Sequence, residues 1–186
     1  MGTYRGIAQD NVTITSGVID ATTLKIGGAA FTASPTEVNR NAKVSGRLIA
    51  AGATLTVTEA LHDSKVVLFD TASGSICTLP AATGGGARFR FQISVVATSN
   101  SHIVKVANSS DTMVGQVLVV SDDAGNTVKP FFAAGTDDTI TLNRTTTGST
   151  RKGEWVEVLD VAANLWHVQG VTAATGTEAT PFSATV

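Results

Sequence analysis

Hydrophobic and polar positions alternate with period two along most of this chain, and the alternation breaks at short intervals on turn residues. The clearest run is Arg88-Phe89-Arg90-Phe91-Gln92-Ile93-Ser94-Val95. One face of it is apolar and the other charged or amide, the pattern of a half-buried strand. Similar runs lie at 55–57, 65–69, 75–79, 102–106, 116–120, 128–132, 139–142, 154–159 and 165–168. Between them stand Ser73-Gly74, Thr83-Gly84-Gly85-Gly86, Ser99-Asn100, Asp122-Asp123-Ala124-Gly125-Asn126, Thr147-Gly148-Ser149 and Ala163-Asn164, all turn formers. Short strands at this spacing predict an all-β domain over residues 47–186, a β-sandwich or jelly-roll-like barrel. No repeat of fixed period points to a solenoid or propeller.

Residues 1–46 read differently. Asn11-Val12-Thr13-Ile14-Thr15 alternates, and 18–26 does so more loosely, with Ser16-Gly17 and Gly27-Gly28 as breaks. Two strands this short bury too little to stand alone. They predict an extended arm lying on its own domain, on sister subunits or on a partner. Val12, Ile14, Val18, Ile19, Leu24 and Ile26 are its candidate contact residues for assembly or partner binding. A helix is predicted over about 35–44. Ser34 serves as N-cap, Pro35 fits the first helical position, and Glu37 completes a capping box. Val38 is the apolar position expected to dock it, since two or three turns are unstable in isolation.

Composition narrows the function. Charged residues make up 15% of the chain, against about 25% in typical soluble domains. The net charge is −2. Duplex binding needs clustered Lys and Arg to displace counterions, so nucleic acid is set aside as a partner. The first residues lack the apolar stretch of a signal peptide, and Gly6 fails the myristoylation pattern. No apolar run approaches 18 residues. The expectation is a chain made in the cytoplasm that stays soluble, with no membrane partner. Cys77, the single cysteine, is expected to be a small buried hydrophobe.

Candidate chemistry is sparse. His62, His102 and His167 lack ligand spacing; His102 and His167 are expected on strand faces and His62 in a short turn. Asp122-Asp123 lacks the alternation and closing Glu of a calcium loop and reads as a hairpin turn, and Asp137-Asp138 likewise. Thr83-Gly84-Gly85-Gly86 would suit a phosphate only ahead of a helix. A strand follows, so the glycines are expected to form a flexible connection. Trp155 and Trp166 are core candidates first and interface anchors second. No cofactor, metal or catalytic set is expected, and the chain reads as non-enzymatic.

Several stretches resemble tailed-phage virion structural proteins. Phe31-Thr32-Ala33-Ser34-Pro35-Thr36-Glu37-Val38-Asn39-Arg40 is similar to helix starts of phage fibre and head-decoration proteins, with Val38 where that pattern has Leu. Leu79-Pro80-Ala81-Ala82-Thr83-Gly84, Ser99-Asn100-Ser101-His102, Asp138-Thr139-Ile140-Thr141-Leu142-Asn143 and Gly176-Thr177-Glu178-Ala179-Thr180-Pro181-Phe182-Ser183 resemble pieces of such proteins. The resemblance spans nearly the whole chain and carries no catalytic residues. It implies a virion component, often a homotrimer. On that basis the leading expectation is a capsid decoration (cement) protein on the outer head surface, with the major capsid protein and its own copies as partners. A tail-fibre or receptor-binding protein is the second reading, with a loop cluster near 143–152 as its tip. A glycan-cleaving enzyme is the third, and no convincing pair of carboxylates supports it.

Overall fold

The computed structural model describes residues 25–26, 29–30, 32, 46–123, 125 and 127–186. The chain divides into two compact units, Met1–Val38 and Asn39–Val186. In the first, β1 (Lys25–Ile26) pairs antiparallel with β2 (Ala29–Ala30), Ile26 opposite Ala29. Ile26 is thus in a strand. Val12, Ile14, Val18, Ile19, Leu24 and Val38, and the helix expected over 35–44, lie outside the described residues.

The second unit is β throughout its described residues except for one short helix. Its elements are β3 (Leu48–Ala50), β4 (Thr54–Thr56), α1 (Glu59–His62), β5 (Lys65–Phe69), β6 (Ser75–Thr78) and β7 (Arg88–Ile93). There follow β8 (His102–Lys105), β9 (Thr112–Ser121), β10 (Val128–Phe132), β11 (Thr139–Leu142), β12 (Trp155–Ala162), β13 (Leu165–Ala174) and β14 (Phe182–Ser183). All ten strands expected in this region are present. Strands β3 and β14 are additional, and His62 closes α1 rather than standing in a turn.

The strands form two mixed sheets, consistent with the expected β-sandwich. The larger has the order β10-β9-β13-β12-β7-β5-β3, the smaller β14-β11-β8-β6-β4. From β3 to β8 the chain steps between the sheets at every strand. Its neighbours within each sheet are parallel: β3 with β5, β5 with β7, β4 with β6 and β6 with β8. This is a short coil of three turns, an arrangement the sequence did not suggest. The physical reason is uneven spacing. Leu48 aligns with Val66, 18 residues on, whereas Lys65 aligns with Phe89, 24 residues on. Later strands close the coil antiparallel, β12 on β7 and β11 on β8.

Alternation places one face of each strand inside. Phe89, Phe91 and Ile93 of β7 pack with Val156 and Val158 of β12, Trp166 and Val168 of β13, and Val67 and Phe69 of β5. The smaller sheet adds Cys77, Val104, Ile140 and Leu142 to the same core. Cys77 is buried as expected, and burial, followed by the nearby Asp70, pushes its thiol up to about 12. Rings organise the centre: Phe69 stacks on His102 at 4.6 Å and on Phe91 at 5.7 Å, and Phe89 meets Trp166 at 5.8 Å. Gly115 lets β9 lie against β13, because a Cβ there would come within 2.0 Å of the Val168 carbonyl oxygen and its φ is +116°.

Candidate functional site

In both parallel and antiparallel pairs, residues in register share a face. The ladder therefore defines the solvent face of the larger sheet. Leu48, Val66, Arg90, Glu157, Gln169, Gln116 and Phe132 line up in one row across all seven strands. Trp155, Val171, Leu118 and Pro130 form part of the adjacent row. Trp155 is therefore half-buried on the outer face and only Trp166 is a core residue. This corrects the expectation for Trp155. Val156 and Val158 hold the inward positions of β12, so Trp155, one residue out of phase, must face outward.

The face has two regions of different character. At the β10 edge it is apolar: Phe132 is 68% exposed and Val128 52% exposed, next to Val120, Leu118, Pro130 and Val171. Exposed apolar groups in contiguous register are the mark of an interaction surface rather than of scattered surface residues. Edge strand β10 is also tied down from behind. Lys129 Nζ donates to Glu178 at 2.7 Å, and the Thr127 hydroxyl donates to the other oxygen of the same carboxylate. These two contacts hold Glu178 down at about 2.

The middle of the face is polar. A cavity of about 380 Å³ is lined by Ser64, Gly86, Arg88, Glu157, Leu159, His167 and Gln169. A second, of about 270 Å³, shares Ser64, Arg88 and Glu157 and adds Lys65, Val66 and Arg90. Arg90 and Glu157 stand directly opposite in register. They do not form an ion pair: the Arg90 guanidinium lies 4.1 Å from the Trp155 ring centre, and Glu157 accepts from Gln169 Nε2 at 3.1 Å. As the Phe/Arg alternation foretold, Phe89 and Phe91 go inside while Arg88 and Arg90 face out.

Elsewhere, polar groups are engaged within the fold. Thr83-Gly84-Gly85 does form an anion cradle, and its occupant is the chain's own Asp160. That carboxylate accepts from the Thr83, Gly84 and Gly85 backbone N–H groups and from the Thr83 hydroxyl, at 2.6 to 3.1 Å. A β-bulge after Asp160 interrupts the ladder there. Burial acts to raise the Asp160 carboxyl, but the hydrogen bonds outweigh it and hold the group below the usual carboxylate range. The connection expected to be flexible is thus pinned. The loop from 143 to 152 is knit in the same way. Asn143 Oδ1 accepts from the Thr145, Thr146 and Thr147 N–H groups, and Glu154 accepts from those of Ser149, Thr150 and Arg151.

Asp122 lies in the β9–β10 connection and meets Arg151 at 3.3 Å. Asp138 holds the Thr185 and Val186 N–H groups. His102 is on an inner face and His167 on the outer one. Among the described residues no group of three or more His, Cys, Asp or Glu side chains could hold a metal ion. No described helix is long and apolar enough to cross a membrane. Compared with protein-family models and with curated proteins, the chain matches none.

Arg88 and Arg90 were legible as outward-facing from alternation alone. Glu157 and Gln169 were not singled out, and His167 was expected only as a strand-face histidine. The alternation Trp155-Glu157-Leu159 was the available signal for Glu157, since a charged residue between two apolar ones marks a solvent face. Nothing local tells that β12 and β13 would lie beside β7.

Proposed function

We propose that this chain is a virion structural protein of a tailed phage, a capsid decoration protein that binds the outer head surface as a small oligomer. The observation that carries the reading is the apolar end of the outer sheet face, Phe132, Val128, Val171 and their neighbours, displayed on a well-packed two-sheet core. Flat apolar area rimmed by polar residues suits a permanent protein contact, because burying it gains roughly 25 cal/mol per Å². The low charge content is consistent with a surface that loses little on desolvation. The resemblance of the helix start at 31–40 and of the later segments to virion proteins points the same way. In this reading the arm adds contacts between copies, and several modest contacts joined in one oligomer hold a shell more firmly than one. The second reading, a fibre-tip receptor binder with its tip at 143–152, is less well supported, since that loop's polar groups are engaged with one another.

The test is co-sedimentation of the purified full chain with phage heads that lack it. Wild-type protein is expected to pellet with the heads. Phe132→Asp, at a position 68% exposed, is expected to keep its melting temperature and to lose at least tenfold in head affinity. Undiminished binding by the variant would remove the patch from the account.

A further inference from the structure

The polar cavities lie on β5, β7, β12 and β13, away from the apolar β10 edge, and the proposal above leaves them without a role. Two guanidinium groups, Arg88 and Arg90, face out beside the Glu157 carboxylate in a chain whose net charge is −2. A second carboxylate is near, since Asp63 Oδ1 accepts from the Arg88 backbone N–H at 2.9 Å. Lys65 is in register with the inward-facing Phe89, and its Nζ donates to the Leu61 carbonyl. Arg88 and Arg90 make no ion pair among the described residues.

The unmade Arg90–Glu157 pair is informative. Opposite charges facing each other across a ladder ordinarily meet. Here each is held aside by another neighbour, Arg90 over Trp155 and Glu157 by Gln169. The result is a flat array of separated groups: two guanidinium donors, one carboxylate acceptor, one amide and one imidazole. A guanidinium fork recognises a carboxylate in bidentate fashion. A carboxylate beside it rejects a dense polyanion but accepts hydroxyl protons. The ligand chemistry that satisfies both is a sugar bearing one carboxylate per residue and several hydroxyls. The combined cavities, about 380 and 270 Å³, are of the size that holds a small ligand. Their run across four strands suits consecutive units of an extended chain.

We infer that this groove is a binding site for acidic oligosaccharides, with Arg88 and Arg90 taking the sugar carboxylate and Glu157, Gln169 and His167 taking hydroxyls. Contact with an acidic surface glycan would then be a property of this face, separate from attachment through the β10 edge.

The test is a titration of the isotope-labelled full chain, followed by amide and side-chain resonances. The probes are trimers of galacturonate and of N-acetylneuraminate, with maltotriose as the neutral trimer. A short dextran sulfate and a single-stranded oligonucleotide serve as dense polyanions. At least one acidic trimer is expected to shift Arg88, Arg90, Glu157 and Gln169 with a dissociation constant below about 5 mM, and maltotriose to leave them unmoved. Arg88→Ala with Arg90→Ala is expected to weaken binding at least tenfold. Glu157→Gln is expected to raise the affinity for dextran sulfate relative to the acidic trimer. No shift with either acidic trimer, or equal or tighter binding of the wild-type chain to the polyanions, would overturn the assignment. Because Phe132→Asp leaves the groove intact, head binding and glycan binding fail independently.

Discussion

At the scale of single residues, two buried titratable groups give direct tests, Asp160 with its oxygens answered by backbone N–H groups and His102 with one ring nitrogen paired and Nδ1 without a partner. Asp160 is the anion of its own backbone cradle, tying the Thr83–Gly85 loop to β12. Asp160→Asn preserves volume but turns one acceptor into a donor facing N–H groups. Loss of a charge-assisted network of this kind costs about 2 kcal/mol, which lowers the melting temperature of a domain this size by roughly 4–8 °C. The folded group sits below its unfolded value. Its contribution is therefore present above about pH 3.9 and is lost as pH falls through the folded value. The acid-side part of the melting curve should flatten in the variant; an unchanged melting temperature at pH 7 would show that the cradle does not matter.

His102 works in the opposite sense. It is buried between the sheets, stacked on Phe69, with Nε2 at 3.0 Å from the Val95 carbonyl oxygen. Burial holds the imidazole below its ordinary range, against smaller upward pulls from that carbonyl and from Asp70. The unfolded chain thus takes a proton that the folded chain refuses. Stability is full above about pH 6.5 and declines as pH falls from there toward the folded value, by at most about 1.4 kcal/mol per pH unit. His102→Phe keeps the stacking and removes the proton. Thermal melts between pH 7.5 and 5 should show a smaller decline in the variant than in the wild type, and equal slopes would refute the assignment.

At the scale of elements, edge strand β10 shows how an apolar face is displayed without an open ladder. Thr127 accepts from the Ser121 N–H and Ala133 donates to Gly115. With alternating bonding in an antiparallel pair, Lys129 and Phe131 also turn their hydrogen bonds toward β9. Val128, Pro130 and Phe132 then turn theirs to the free edge, and Pro130 has no N–H to offer there. A proline at the outward position is a guard against strand addition. Pro130→Val restores that donor beside two exposed apolar side chains. It should leave the melting temperature within about 1 kcal/mol of wild type in stability terms and raise self-association, seen as concentration-dependent light scattering. Unchanged scattering would mean the edge is guarded by something other than Pro130.

The strands were legible because a two-residue period is local. Arg88 to Ile93 or Thr139 to Leu142 shows its alternation with no knowledge of neighbours. The limits are equally physical. β14, at two residues, is too short to show a period, and β3 reads Leu48-Ile49-Ala50 with no polar residue to alternate. The coil from β3 to β8 was hidden because its turns differ in length, and partner choice is not written in any one strand. For the same reason Arg90 was legible as exposed, while its position beside Glu157 and Gln169 depends on β7, β12 and β13 being adjacent.

At the scale of the whole molecule, the larger sheet offers a patterned outer face, apolar at the β10 edge and polar in the middle, backed by one core. We propose that the apolar end seats this sandwich on a capsid. The copy number of this chain relative to the major capsid protein, from quantitative gel densitometry of purified phage particles, decides it. A decoration protein is expected to approach the copy number of the capsid protein itself. A ratio of only a few per hundred would contradict it and place the chain at the tail or a single vertex.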